Sequence, residues 1–210
     1  MRFARSPDTF RAMEKTAPTD RPVHDLIAAR WSPYGFADRP ISTDDLRSLL
    51  EAARWAPSAY NEQPWVYMLA TKADSEQHSL LVSCLIEGNR SWAATAPVLL
   101  LGLTRRTFTR NGDANATCEH DLGLASASLS LEATARGISV HQMSGILHDR
   151  IREVFELPDD ITPVTGLALG YCASEKEVPE KLIDRHNRVR ERHPLEQFVF
   201  TGGLGQPSPL

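Results

Sequence analysis

The sequence predicts an α+β fold, a small mixed and mainly antiparallel sheet wrapped by helices, on three observations. Helical patterns outnumber strand patterns. Strands return after helices rather than following one another. Residues 121–136 carry Leu122, Ala125, Leu129, Leu131 and Ala133 among Ser and Ala, and small residues on every face suit a central helix packed on several sides. A length of 210 residues is enough to bury a sizeable core. With no repeat, linker or composition break, one domain is expected over residues 21–210. A flexible, partly ordered arm is expected over residues 1–20: Arg2, Arg5, Arg11 and Lys15 are mixed there with acids and lack the apolar segment of a signal peptide.

In chain order, Asp20-Arg21-Pro22 opens a first helix running to about Ala29, because Asp caps and Pro suits an early helical position. Pro33 and Gly35 break the chain after it. Ser42-Thr43-Asp44-Asp45 resembles a capping box, and Leu46, Leu49, Leu50 and Ala53 follow at helical spacing until Pro57 stops them. A strand is expected over 66–71, a helix over 74–87 and a short helix over 89–96. A strand apolar on both faces then covers 98–104. Residues 105–117 are polar and irregular, and read as a flap. The central helix ends at Gly137. A strand and turn over 139–145, a helix through Ile151, Val154 and Phe155, and a strand over 162–171 lead to a tail rich in Arg and His.

Composition excludes several classes. A net charge of −4 leaves no basic footprint for nucleic acid, and no apolar run approaches a membrane span, so neither is expected as a partner. Cys84, Cys118 and Cys172 are odd in number and far apart, as reduced thiols of a cytoplasmic protein are. No Gly-x-Gly-x-x-Gly joins a strand to a helix, and no Gly-x-Ser-x-Gly nucleophile turn exists. His120, His141 and His148 lack metal-ligand spacing, so no metal and no protein nucleophile is expected.

What remains is a distributed polar set organised around Arg54-Trp55-Ala56-Pro57-Ser58-Ala59-Tyr60-Asn61-Glu62-Gln63-Pro64-Trp65. So many hydrogen-bonding groups between two Pro stops suit a rigid loop that reads the edge of a planar polar ligand, or else an ordinary surface turn. Arg30 and Ser32 at a helix exit offer a cationic fork and a hydroxyl, a phosphate-type pair. Arg190 and Arg192 share a face if extended; alone they read as a solvated basic tail.

In order along the chain, Arg30-x-Ser32-x-x-x-Phe36 and Ala56-Pro57-Ser58-x-x-Asn61-x-Gln63-Pro64-Trp65 resemble the flavin-dependent nitroreductase family. So do His141-Gln142-Met143-Ser144-Gly145, Leu169-Gly170-Tyr171 and Arg190-x-Arg192-x-Pro194, which together with them span about residues 22–200. The resemblance implies a nitroreductase-like fold and an intertwined homodimer holding FMN at the subunit interface, with the segment around Phe198-Val199-Phe200 crossing to the partner. It implies that Arg30, Ser32, Arg190 and Arg192 clamp the FMN phosphate, with Trp31 beside them. Met143, Ser144 and Gly145 would form the turn that meets the flavin ring, and Asn89 would contact its pyrimidine edge. Pro57, Ser58, Ala59 and Asn61 would reach it from the partner.

NADPH or NADH would donate a hydride and a nitroaromatic, quinone or similar conjugated acceptor would follow it, in ping-pong order. Three departures from the family pattern stand out: Tyr34 where a Lys or Arg is frequent near the flavin, Trp31 for a frequent Arg or His, and Ala59 for a common second Ser. They leave open the flavin's potential and preferred acceptor, and Tyr34 and Trp31 leave open a low-turnover flavin-binding regulatory dimer. The alternative within the fold is a specialised flavin reaction (dehalogenation, oxidation of a bound intermediate, or flavin breakdown) with residues 105–117 as a substrate-closing lid.

Overall fold

A computed structural model describes residues 15–210. Residues 1–14 of the expected arm lie outside the described residues; at its end Ala17 N–H donates to Ala28 O at 2.9 Å. Helix α1, Asp25–Ala29, starts later than Asp20, because His24 Nδ1 takes the Leu26 N–H and caps it. Helix α2, Thr43–Arg54, opens as expected, with Ser42 Oγ accepting from Asp45 N–H. Strand β1, Trp65–Thr71, is followed by α3, Ser75–Ser83, and α4, Glu87–Ala93.

The helix expected over 74–87 stops early for a tertiary reason. Leu85 bridges to Ile146, Leu147 N–H donates to Cys84 O, and Ile86 N–H donates to Gly145 O. These backbone groups leave the helix to hold the 144–147 turn, and packing overrides propensity. The chain continues through β2, Val98–Arg105, α5, Cys118–Ala135, β3, Ser139–Met143, α6, His148–Val154, β4, Ile161–Gly170, and α7, Ile183–Asn187.

The sheet order is β1-β2-β4-β3 and every pairing is antiparallel, so the parallel part of the mixed-sheet expectation is absent from the described residues. Strand β2 is buried on both faces. Leu99, Leu101 and Leu103 enter one core with Leu81, Trp92 and Ile151; Val98 and Leu100 enter the other with Leu49, Ala53, Ala125 and Leu129. That split follows the two-residue period of a strand. Helix α5 lies in the second core against α2 and the sheet, as its small residues predict.

The expected flap is tied down as a small hairpin. Thr107 bridges Ala114, Phe108 N–H donates to Asp113 O, and Asn115 is 3% exposed. Beyond α7 the chain is irregular and leaves Val189, Leu195 and Phe198 exposed. Among the described residues no helix is long and apolar enough to cross a membrane, and all three cysteines are free thiols.

Candidate active site

Three guanidinium groups converge where α1 ends. Arg30 caps the helix C-terminus and its Nη1 donates to Ser32 Oγ at 3.2 Å. Burial lowers the Arg30 pKa and the charge of Arg192 lowers it further; Arg190 is lowered by burial, then by Arg30 and Arg192. Among the described residues none of the three has a carboxylate within ion-pair distance. Like charges held together without a counter-ion destabilise one another unless an anion joins them. Arg190 also has a bracing role, since its Nη1 donates to Lys15 O and Ala28 O, each at 2.6 Å. Arg192 is exposed, with Nη1 on Glu191 O.

Trp31 and Tyr34 add no charge to this cluster. Trp31 packs edge-on to His186 with Lys15 Nζ 4.7 Å above its ring. The Tyr34 ring sits against Trp92 and His141, at 5.3 and 4.8 Å between centroids. His141 in turn lies beside the Pro33 carbonyl at 2.8 Å from Nδ1, and burial lowers its pKa. This aromatic cluster fixes the Arg30–Ser32 segment against β3.

From His141 to Gly145 the chain advances about 13 Å if extended, which carries the surface from the guanidinium cluster to the turn after β3. Met143 is buried there and Ser144 is exposed. Gly145 O accepts from Ile86 N–H at 3.1 Å and from Asn89 Nδ2 at 3.0 Å, while among the described residues its own N–H has no acceptor. A Cβ on Gly145 would lie 2.4 Å from Asn89 Nδ2 and 2.6 Å from Ile86 Cδ1. Glycine is required by that close approach. Asn89 therefore braces the turn through one hydrogen of its side-chain amide.

The loop of residues 57–63 lies elsewhere. Its flanking strand β1 and the turn's strand β3 are opposite edges of the sheet, three strand spacings or about 14 Å apart. Pro57, Ser58, Ala59 and Asn61 are thus not brought to Gly145 within one chain. The loop is built rather than loose. Tyr60, Asn61 and Gln63 all have left-handed backbones, at φ 52°, 57° and 53°. Non-glycine residues hold that conformation only when their surroundings impose it. Here Gln63 N–H donates to Ser58 Oγ at 3.0 Å, Gln63 Nε2 to Asn61 O, Thr109 N–H to Glu62 Oε1 at 2.8 Å, and Ala59 N–H to Asp121 Oδ2 at 3.1 Å.

Asp121 and Glu62 were missed by sequence reasoning. Asp121 is 2% exposed in the first turn of α5, where the helix dipole favours an anion. An acid at a helix start beside a His gave a signal that reads equally well as ordinary capping.

The open groove between α2 and α5, lined by Arg47, Ser48, Glu51, Trp55, Glu132 and Arg136, contains none of the residues expected to hold FMN. Arg136 there is already paired with Asp45 and Glu132.

The chain as a whole has counterparts among known proteins. The family model described as "Nitroreductase family" matches residues 27–81 and 74–171. A crystal structure of an oxidoreductase containing FMN superposes with a TM-score of 0.84 at 36% identity, over 90% of this chain and 96% of that one. A nitroreductase family protein from Clostridium difficile superposes at 0.66 with 25% identity, over 85% and 97%. An Archaeoglobus fulgidus protein with the provisional name NADH dehydrogenase/NAD(P)H nitroreductase is 28% identical over 79% of this chain and 93% of its own. An uncharacterized protein of Mycolicibacterium smegmatis is 34% identical over 64% of this chain and 89% of its own. The chain belongs to the nitroreductase family.

Proposed function

We propose that the protein is a cytoplasmic, homodimeric FMN-dependent NAD(P)H oxidoreductase that reduces nitroaromatic, quinone or similar conjugated acceptors. The observation that carries this reading is the convergence of Arg30, Arg190 and Arg192 without a carboxylate, one extended segment away from the free Gly145 amide. The residues fit FMN at both ends. A dianionic phosphate supplies the missing counter-charge, and a ring heteroatom supplies the missing acceptor. Bound FMN would provide reversible two-electron transfer between a nicotinamide donor and the acceptor.

In this reading Arg30 and Ser32 hold the phosphate, with Arg190 and Arg192 completing the clamp. Gly145 N–H, flanked by Ser144 and by buried Met143, donates to the ring edge; a donor aimed where charge accumulates stabilises the reduced state. Asn89 and Ile86 keep that amide in place. Trp31 and Tyr34 shape the walls through packing and bring no cation.

Pro57, Ser58, Ala59 and Asn61 close the ring from a partner subunit. Their place on the opposite sheet edge, and the exposed Val189, Leu195 and Phe198 of the tail, support a site assembled across two chains. Free thiols suit a reducing compartment.

The test is an absorption spectrum of the purified protein before and after anaerobic NADPH or NADH. A flavin band that bleaches is expected. A colourless protein that takes up no added FMN would refute the proposal.

A further inference from the structure

The strained loop and the 105–117 hairpin form one unit, joined by the Thr109 N–H to Glu62 Oε1 bond. That unit presents a face which the cofactor reading does not use. The Tyr60 ring is 75% exposed although its backbone is left-handed at φ 52°. It meets the edge of Phe108 at 5.7 Å, and the Arg110 guanidinium lies 4.2 Å over it. An aromatic ring held outward by a costly backbone makes its further contacts outside this chain, where a ligand at the shared site can reach it.

Arg110 is stacked yet not neutralised. The nearby acids are engaged otherwise: Glu62 accepts from Thr109 N–H, and Asp113 accepts from Asn111 Nδ2 at 2.6 Å. Among the described residues no carboxylate lies within ion-pair distance of Arg110. Stacking leaves the N–H rim of a guanidinium free, which is the edge that binds a carboxylate in bidentate fashion.

We infer that Tyr60, Phe108 and Arg110 form an acceptor-selecting wall that favours flat conjugated molecules carrying a carboxylate over neutral ones. The inference rests on the flavin-enzyme reading, in which the neighbouring Ser58 and Asn61 face the ring. Tyr60 and Phe108 supply the apolar surface for a planar acceptor, and Arg110 supplies the charge at its rim. They are specificity residues, and the electron transfer does not pass through them.

The test compares para-nitrobenzoate with para-nitrobenzamide, which match in shape and differ in charge. Reduction of either nitro group to nitroso takes the two electrons and one proton of a hydride, plus a second proton from solvent, and releases water. With NADH as donor, Arg110→Gln should raise the ratio of KM for the acid to KM for the amide about two- to fivefold, the range of an exposed ion pair. Tyr60→Ala should raise both constants. Calorimetric binding of benzoate against benzamide to the oxidised holoprotein should show the same split without turnover. An unchanged ratio in an enzyme whose flavin still bleaches overturns this inference and leaves the oxidoreductase reading standing. So does a defect confined to NADPH against NADH, which would give Arg110 to the donor's phosphate. Failure of the parent protein's flavin to bleach removes both readings.

Discussion

Removing Asp121 tests how the 57–63 loop is held. Its buried carboxylate accepts the Ala59 N–H at 3.1 Å from the first turn of α5. A charge-assisted bond of this kind contributes about 2 kcal/mol. The three left-handed residues, Tyr60, Asn61 and Gln63, store strain of about 1 kcal/mol each. Losing the anchor therefore removes one of the two carboxylate bonds that oppose that strain, with the Ser58–Gln63, Asn61–Gln63 and Glu62–Thr109 bonds left to hold the loop.

Asp121→Ala should lower stability by about 2 kcal/mol, a Tm decrease of about 4–8 °C for a chain of this length. Asp121→Asn keeps an acceptor oxygen and loses the charge, so about half that decrease is expected. Differential scanning calorimetry at fixed protein and FMN concentration gives the Tm, and hydrogen exchange at residues 58–63 gives the local effect. A Tm equal to the parent's in the Ala variant, with loop exchange unaltered, would refute the reasoning.

Further outcomes follow from other parts of the molecule. Arg30→Ala should weaken FMN affinity by tenfold or more, on the order of the 1.5–3 kcal/mol of a bond between charged partners, read by equilibrium dialysis; unchanged cofactor content would show that the clamp is misassigned. Gly145→Ala should displace Asn89 and Ile86, which a Cβ would meet at 2.4 and 2.6 Å, and FMN affinity should fall more than Tm does; a variant with parental affinity would remove the amide from the site. His78, His141 and His186 are each held by burial below the ordinary imidazole pKa. The unfolded chain therefore takes up protons below about pH 6.5 that the folded chain refuses, and stability falls with pH by up to about 1.4 kcal/mol per unit for each histidine. Urea midpoints in neutral and mildly acid buffer check this, and a midpoint that does not move would contradict it.

Some of this was legible in the sequence and some was not, for physical reasons. The Ser42 cap, the leucine period of α2 and the doubly buried β2 are local signals, and the structure follows them. The all-round small residues of α5 likewise announced a helix packed on several sides. The early end of α3 was not legible. It depends on Cys84, Leu85 and Ile86 giving their backbone groups to the 144–147 turn, sixty residues onward. The bond from the Asn89 amide to Gly145 O was not legible either, because it joins residues far apart in the sequence. The tying of residues 105–117 through Glu62, and of the loop through Asp121, joins segments that no spacing rule connects.

The opposite-edge placement of the Gly145 turn and the 57–63 loop has a genetic consequence. If each site takes its clamp from one chain and its loop from the other, defects in the two parts lie in separate complementation groups. A dimer mixing an Arg30→Ala chain with an Asn61→Ala chain would contain one doubly damaged site and one wholly intact site. Two inactive alleles of a single gene would then restore activity when expressed together, and two alleles within the same part would not.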